Sequence, residues 1–279
     1  MQGKICLVTG ANAGIGRVTA EELARRGATV VMLCRNQAKG EQARNEIITA
    51  SGNRQVELIL ADFAALASVR RAAAEFLSRH QKLDVLVNNA GAFFAKRQLS
   101  QDGYELTFAT NHLGPFLLTK LLLDALKAAA PARIINVSSE AHEGARLHLD
   151  EIPSGGKRYQ NFRAYADSKL CNILFSYELA RRLEGSGVTV NALHPGFVAS
   201  NFGSSIGGPM GFVFRMLRPI AITPEKGAQT SIYLASAPEL ETITGKYFTR
   251  QQITESSKAS YDQQIQTALW QLSEKLVSA

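Results

Sequence analysis

The stretch from 4 to 27 constrains the fold more than any other part of the 279-residue chain. A short apolar segment at 4–9, typical of a buried strand, leads into the glycine-rich turn 10–16, and an amphipathic segment follows at 17–26. The turn has the spacing Gly-x-x-x-Gly-x-Gly. Glycines permit a tight turn and a close backbone approach, and free N–H groups at a helix start favour an anion. A strand, a glycine turn and a helix in this order predict a binding site for the phosphates of a dinucleotide.

Strand-like and helix-like segments then alternate along the chain. Further strands are predicted at 28–33, 55–60, 83–88, 133–137, 188–193 and 245–248, and helices lie between most of them. Short apolar strands such as 84–88 imply burial on both faces, which is typical of a parallel sheet. We therefore expect an α/β, doubly wound Rossmann fold, with a single parallel sheet of about seven strands and helices on both faces. With no linker or repeat in the sequence, 1–279 is predicted to be a single dinucleotide-binding and catalytic domain.

The end of the second predicted strand indicates which dinucleotide is bound. Cys34-Arg35-Asn36 lies about 20 residues past the last glycine, where an acidic residue would accept a hydrogen bond from the ribose 2′-hydroxyl of NAD. No acidic residue occurs there. The guanidinium of Arg35 is always charged and suits a 2′-phosphate, so the sequence favours NADP. A solvated arginine at a strand end is the alternative interpretation.

Two later strand ends carry polar residues. Asp62-Phe63 follows the third strand, where the Asp62 carboxylate could accept from an adenine amino group or, equally well, cap the next helix. Asn88-Asn-Ala-Gly91 ends the fourth strand. Because the carboxyl ends of parallel strands meet at one edge of the sheet, these residues are expected beside the cofactor.

Tyr165 and Lys169 are four residues apart in an apolar-patterned segment at 161–183. In a helix that spacing places them on one face, one turn apart. A cation near a phenol favours the phenolate and lowers its pKa toward neutrality, where proton transfer is efficient. The pair predicts a proton donor, although a half-buried tyrosine beside a solvated lysine has the same spacing.

Two long segments flank this helix. The loop-like stretch 140–160 connects Ser139 to it and is long enough to indicate a functional loop. Glycines followed by large apolar residues at 203–223 predict a lid over an apolar substrate. An interface or a peripheral membrane contact is an equally good interpretation of that segment.

Charge and cysteine usage exclude several classes of protein. The net charge is +7, but lysines and arginines are spread as pairs instead of forming a basic run, which argues against a nucleic-acid partner. The three cysteines are far apart and lack CxxC spacing, and the histidines lack metal-ligand spacing, so no disulfide framework or metal site is expected.

The apolar stretch 211–222 is short and contains two arginines and a proline, so no transmembrane segment is predicted. A strand-like segment directly after Met1 leaves no room for a secretion signal, and we expect a cytoplasmic protein.

Six motifs occur in a fixed order along the chain: TGANAGIG, NNAG, Asn111, the pair Ser138-Ser139, YADSK and HPG. With these motifs the chain resembles the short-chain dehydrogenase/reductase superfamily from end to end. It is most similar to the retinol dehydrogenase branch, through LCRN at 33–36, NHLGPF at 111–116, SKLCNILF at 168–175, ELARRLEGSGVTVNALHPG at 178–196 and GAQTSIYLAS at 227–236.

The resemblance implies four catalytic residues: Tyr165 as general acid/base, Lys169 lowering its pKa and binding the nicotinamide ribose, Ser139 polarising the substrate carbonyl, and Asn111 holding a water. It also implies a set of cofactor contacts. The pyrophosphate would meet Gly10, Asn12, Gly14, Ile15 and Gly16; the 2′-phosphate, Arg35; the adenine, Asp62 and Phe63; the ribose, Asn88, Ala90 and Gly91; and the nicotinamide carboxamide, Pro195, Gly196 and Val198.

The implied function is an NADP(H)-dependent oxidoreductase that interconverts an apolar aldehyde or ketone, retinal-like or otherwise lipophilic, and its alcohol. Reduction by NADPH is the expected direction. A non-catalytic, cofactor-binding regulatory or scaffold protein on the same fold is the alternative. Apolar residues on more than one face of the helices at Asn111 and Tyr165 also suggest a homodimer, although a sheet and neighbouring loops could cover both faces.

Overall fold

A parallel sheet organises the chain, as a computed structural model covering 1–156, 158–197 and 221–278 shows. The strands are β1 Ile5–Thr9, β2 Thr29–Cys34, β3 Val56–Leu60, β4 Val85–Asn88, β5 Ala132–Val137, β6 Val188–His194, β7 Tyr247–Thr249 and β8 Gln252–Thr254. Their order in the sheet is β3-β2-β1-β4-β5-β6-β7-β8. The first seven strands pair in parallel and β8 is antiparallel to β7. The predicted doubly wound sheet is confirmed, with one antiparallel edge strand that the sequence did not predict.

Helices cover both faces of the sheet. They are α1 Gly14–Arg25, α2 Gln37–Ser51, α3 Leu66–Arg79, α4 Leu106–Phe108, α5 Gly114–Ala128, α6 Asn161–Arg182, α7 Pro224–Ser236 and α8 Gln263–Ser278. Alternate residues of β1 enter opposite cores: Leu7 packs with α3, α5, α6 and α8, whereas Cys6 and Val8 pack with α1, α2 and α7. No helix within the described ranges is long and apolar enough to cross a bilayer.

The strand order reverses between β1 and β4. At such a switch point the loops leaving the two strands diverge and open a crevice at the carboxyl edge of the sheet. Gly10 follows β1, and the segment 89–91 follows β4. A Cβ atom on Gly10 would lie only 3.1 Å from Ala90 Cα, so the two loops meet closely at the base of the crevice.

The leucine-rich segment 116–130 predicts a helix, but the helix that carries Asn111 begins earlier. It is helical from Leu106 and passes through a wider π-helical turn, Ala109–Leu113, before α5. Its start is fixed by the buried Glu105, whose carboxylate accepts hydrogen bonds from Thr107 N at 2.9 Å and Phe108 N at 2.8 Å. Glutamate is not a usual N-cap residue, so no cap signal marks this helix start in the sequence. Asn111 consequently lies inside a π turn, a feature frequent at functional sites.

Gly114 makes room for Phe63 beneath α5. A Cβ at this position would lie 2.5 Å from Phe63 Cδ1, and Phe63 is only 6% exposed. We expect Gly114→Ala to lower the free energy of unfolding by about 1–3 kcal/mol, although alanine normally stabilises a helix relative to glycine. Urea unfolding measures this change, with Gly144→Ala as the control because nothing lies within 4 Å of its added Cβ. An unchanged or raised stability of Gly114→Ala would contradict the packing argument.

Candidate active site

The glycine-rich turn needs its glycines for two separate reasons. Gly10 and Gly14 have φ of +66° and +54°, which side-chain-bearing residues rarely adopt. Gly16 has no room for a side chain, because a Cβ would lie 2.5 Å from Gly10 O and 2.4 Å from Asn89 Nδ2. The turn is therefore packed closely against Asn89, and no glycine side chain covers its backbone on the crevice side.

The N-terminus of α1 is left open by the same turn. Ala13 occupies the N-cap and its side chain has no hydrogen-bond acceptor for the first N–H groups. By contrast, Asn36 caps α2 by accepting from Lys39 N at 2.9 Å. Asn12 and Ile15, two of the expected contacts, are both partly exposed on this turn. Free N–H groups, a 12-residue helix behind them and no side chain in the way fit a pyrophosphate.

Two residues behind the turn hold it in place. Thr9 Oγ1 accepts from Asn89 N at 2.9 Å and Ala90 N at 2.8 Å, and Asn89 Nδ2 donates to Thr9 O at 2.8 Å. Asn89 was not among the expected site residues, and only its place in the NNAG motif could have suggested it. These contacts tie the segment after β4 to the end of β1.

Cys34 supports the other side of the turn. Its thiol is 2% exposed and accepts hydrogen bonds from the backbone N–H groups of Ala11 and Asn12. Burial raises the pKa of this thiol to about 11, so it stays protonated and unreactive at neutral pH. Its role here is to position the backbone of the turn.

Arg35 and Asp62 lie where the sequence predicts, at the ends of β2 and β3. Arg35 is exposed, and within the described part of the chain no carboxylate pairs with it. The Asp62 carboxylate accepts from Ala64 N at 2.9 Å, whereas the first N–H of α3, on Leu66, donates to Asp102 Oδ2 at 2.9 Å. Asp102, not Asp62, therefore caps α3, which removes the alternative role considered for Asp62.

Two of the expected cofactor residues point their side chains into the core. Asn88 is 4% exposed and donates to Thr119 Oγ1 at 3.0 Å and Asn136 Oδ1 at 2.8 Å. Phe63 packs against Gly114, as described above. Asn88 could therefore contact a ribose only through its backbone atoms. The same holds for Phe63 and an adenine.

Tyr165 and Lys169 face each other one turn apart on α6. Lys169 Nζ lies 5.6 Å from the centre of the Tyr165 ring and donates to Val137 O at 3.1 Å. Burial raises the pKa of Tyr165 to about 12, and burial lowers the pKa of Lys169 to about 8. The expected lowering of the Tyr165 pKa is absent, because loss of solvent around the phenol outweighs the stabilisation of its charged form.

The two serines after β5 have different surroundings. Ser138 is buried and its hydroxyl donates to Lys169 O at 2.7 Å, which fixes α6 against the strand end. The Ser139 hydroxyl lies against the Tyr165 side chain, a contact that favours the phenolate. Ser139 also caps a 3₁₀ helix, Glu140–Gly144, by accepting from Ala141 N at 3.2 Å. Of the pair, Ser139 is the residue in the site, as the resemblance implies.

Asn111 connects the segment after β4 to α6. Its side chain accepts from Ala92 N at 2.7 Å and donates to Ala92 O at 2.9 Å and Ser168 Oγ at 3.0 Å. Gly91 lies against it, because a Cβ there would be 3.1 Å from Lys169 Nζ and 3.6 Å from Asn111 Oδ1. The glycine of NNAG therefore leaves space for the lysine.

His142 is a positioning residue that the sequence did not reveal, because the histidines were considered there only as metal ligands. Its Nδ1 lies 2.7 Å from Ser139 O, and its Nε2 accepts from Ser257 N at 3.0 Å. These two partners require a neutral ring with the proton on Nδ1. Burial lowers the pKa of His142, in agreement with a neutral ring. The ring joins the backbone of Ser139 to the segment before α8.

The end of β6 completes the described part of the site. Gly196 has a φ of +92°, and its N–H donates to His194 Nδ1 at 3.2 Å. A Cβ on Gly196 would lie 2.7 Å from Ile222 Cδ1, so this turn is packed against the segment before α7. Pro195 is partly buried beside it. Val198 and most of the predicted lid, 203–220, lie outside the described residues.

Taken together, the carboxyl edge of the sheet has a turn suited to an anion at one end and the Ser139–Tyr165 contact beside a lysine at the other. A protonated phenol with a neighbouring hydroxyl can donate a proton and hydrogen bonds to an oxygen that gains negative charge. Pyrophosphate binding and proton transfer at one edge are what a dinucleotide-dependent redox enzyme requires.

Comparison with known proteins agrees with this geometry. The family model described as short chain dehydrogenase matches residues 4–208. Retinol dehydrogenase 14 of Mus musculus is 43% identical over 295 residues, covering 99% of this chain and 86% of that protein. Dehydrogenase/reductase SDR family member 13 of Homo sapiens is 44% identical over 282 residues, covering 99% of this chain and 74% of that protein.

Solved structures have the same fold. An uncharacterized protein from Mycobacterium paratuberculosis aligns with a TM-score of 0.81 at 36% identity, covering 100% of this chain and 94% of that one. The Pseudomonas aeruginosa RhlG/NADP active-site complex aligns with a TM-score of 0.71 at 28% identity, covering 89% of this chain and 94% of that one. The chain therefore belongs to the short-chain dehydrogenase/reductase family of oxidoreductases, in its retinol dehydrogenase branch.

Proposed function

We propose that this protein is an NADP(H)-dependent oxidoreductase that interconverts a lipophilic aldehyde or ketone and its alcohol, with Tyr165 as the general acid/base. The observation that carries the proposal is the contact of Ser139 with Tyr165 next to Lys169, at the sheet edge where the glycine-rich turn lies. Likeness to retinol dehydrogenases supports a retinoid-like or similarly apolar substrate.

The residues divide the work as follows. NADPH, when bound, supplies the hydride. A pKa of about 12 keeps Tyr165 protonated at neutral pH, so in reduction it donates its proton to the substrate oxygen as that oxygen becomes negative. The Ser139 hydroxyl donates a second hydrogen bond to that oxygen, and the positive charge of Lys169 stabilises the phenolate that remains.

The preference for NADP rests on Arg35. Its exposed guanidinium has no carboxylate partner in the described part of the chain, so it is free to pair with a 2′-phosphate. The turn 10–16 would hold the pyrophosphate, and the sheet edge from Gly91 to Lys169 would hold the nicotinamide ribose. The NADP complex of Pseudomonas aeruginosa RhlG supports the same cofactor class.

Reduction is expected to slow at alkaline pH. Because burial lowers the pKa of Lys169 to about 8, the lysine loses its charge above that pH and no longer stabilises the Tyr165 phenolate. We expect kcat for reduction to be constant at lower pH and to fall up to tenfold per pH unit as the pH rises beyond about 8. The measurement is kcat at saturating NADPH and substrate across pH 6–10, with circular dichroism at each pH to confirm that the protein stays folded. A kcat that is constant throughout would contradict a catalytic charge on Lys169.

The competing function is a cofactor-binding regulatory or scaffold protein. It would require the phosphate-binding turn but not the Ser139–Tyr165 contact or the buried Lys169, and the presence of both favours the enzyme. Oxidation of NADPH, followed by its absorbance with a panel of aldehydes and ketones that includes retinal, distinguishes the two. Tight NADPH binding without turnover of any panel member would favour the scaffold.

A further inference from the structure

A cavity of about 620 Å³ lies next to the proposed catalytic residues, and no step described above uses it. Its size is in the range of small-ligand sites. Its walls come from three segments, around Ala95, around Gly144 to Arg146, and from Tyr159 to Arg163.

Each of these segments adjoins a residue of the active site. Asn161 and Phe162 precede Tyr165 by four and three residues on α6, so the cavity begins about 6 Å from Tyr165 along the helix. Ala95 follows Phe93, whose ring meets the Tyr165 ring edge-on at 5.9 Å between centres. Gly144 ends the 3₁₀ helix that Ser139 caps. These neighbours place the cavity beside the end of α6 that carries Tyr165.

Two arginines give the cavity wall a positive charge. Arg163 is held in place, because its Nη2 donates to Arg146 O at 2.8 Å and its Nε lies 3.5 Å from Asp167 Oδ2. The same aspartate accepts from the backbone N of Arg146 at 2.8 Å. One carboxylate thus anchors the side chain of Arg163 and the backbone of Arg146.

The guanidinium of Arg146 itself has no partner among the residues that the structure describes. The side chain is exposed at the cavity, and within the described ranges it makes no hydrogen bond and no ion pair. Gln160, the N-cap of α6, makes no side-chain hydrogen bond to the first turn of this 22-residue helix, so its N–H dipoles add positive potential at the cavity. Two arginines opposed by one aspartate leave an excess of positive charge there.

We propose that this cavity binds an anionic end group of the substrate, with Arg146 as the residue that recognises it. The proposal rests on the proposed function and specifies its substrate class: an aldehyde or ketone with an apolar body whose far end carries a carboxylate or another oxyanion. The planar guanidinium fork matches the two oxygens of a carboxylate, and the exposed Phe162 ring offers an apolar wall for the body.

The test compares ω-oxo fatty acids of graded chain length with their methyl esters as substrates for NADPH-dependent reduction. For the chain length that reaches from Tyr165 to Arg146, we expect wild-type kcat/KM for the acid to exceed that for the ester by a factor of about ten or more. One good charge-assisted contact accounts for a factor of about ten. Arg146→Gln is expected to reduce this acid-to-ester ratio about tenfold, and Arg146→Lys, which keeps the charge without the fork, to reduce it less.

Arg71→Gln on α3 is the matched control, since it removes an equally exposed arginine away from the cavity and should leave the ratio unchanged. A wild-type enzyme that reduces both compounds at every length without favouring the acid would overturn the proposal. A preference that survives intact in Arg146→Gln would overturn the role of Arg146. Absence of NADPH oxidation with acids and esters alike, in an enzyme that reduces other members of the aldehyde and ketone panel, would overturn this assignment alone. Absence of turnover with the whole panel would overturn the proposed function, and this assignment with it.

Discussion

Replacing Tyr165 by phenylalanine is expected to lower kcat for carbonyl reduction about a thousandfold and to leave the Kd for NADPH within about threefold of wild type. Phenylalanine keeps the ring, including its edge contact with Phe93, and removes only the hydroxyl that contacts Ser139. The substrate oxygen then lacks its proton donor, whereas the phosphate-binding turn is untouched. Steady-state kinetics and fluorescence titration with NADPH measure the two quantities separately.

Tyr177→Phe is the matched control for this variant. Tyr177 lies three turns further along α6, and its buried hydroxyl is bonded to Ser256 at 2.7 Å, away from the crevice. Loss of that hydroxyl should change kcat by no more than about threefold, since it acts only through stability. Turnover of Tyr165→Phe at the level of Tyr177→Phe would rule out Tyr165 as the general acid.

Replacing Arg35 by aspartate is expected to lower the ratio of kcat/KM for NADPH to kcat/KM for NADH by about a hundredfold to a thousandfold. The substitution would remove the proposed charge-assisted contact with the 2′-phosphate and would place a negative charge beside that group. The new carboxylate can accept from the 2′-hydroxyl of NADH, so activity with NADH is expected to rise. Kinetics with both cofactors at fixed substrate give the ratio directly.

Arg54→Asp makes the same change of charge at another exposed arginine. Arg54 precedes β3 and so lies at the amino ends of the strands, whereas Arg35 lies at their carboxyl ends. Its cofactor ratio should stay near that of wild type. If Arg35→Asp and Arg54→Asp show equal ratios, the preference does not come from a local contact of Arg35, and the assignment of NADP loses its basis.

Sequence patterns predicted the sheet well because its central strands are short and apolar and are buried on both faces. The edge strand β8 was missed for the opposite reason: Gln252 and Ile253 are exposed, so the segment lacks a buried pattern. Its hairpin turn also lacks the usual signal. Arg250 and Gln251 adopt φ of +48° and +64°, values that Asn-Gly pairs normally supply in such two-residue turns.

The candidate site was predictable at the level of which segments converge, because strand ends in a parallel sheet share one edge. Side-chain direction was not predictable: Asn88 turns under α5, although it stands in the motif that borders the crevice. The four-residue spacing of Tyr165 and Lys169 correctly predicted that the two side chains lie side by side. It gave no measure of burial, and burial is what raises the pKa of the phenol to about 12.

The ring of His142 has a consequence for how this chain can be recombined with its relatives. It joins the carbonyl of Ser139 to the backbone of Ser257, and Ser257 lies well beyond the segment 4–208 that the family model matches. Because the donor at 257 is a backbone N–H, a chimaera that takes its last third from another member keeps this support only where that member places a backbone N–H against His142 Nε2. For grafting experiments the fold around the candidate site therefore extends to at least residue 257, and an exchange boundary placed earlier has to preserve the path of the backbone there.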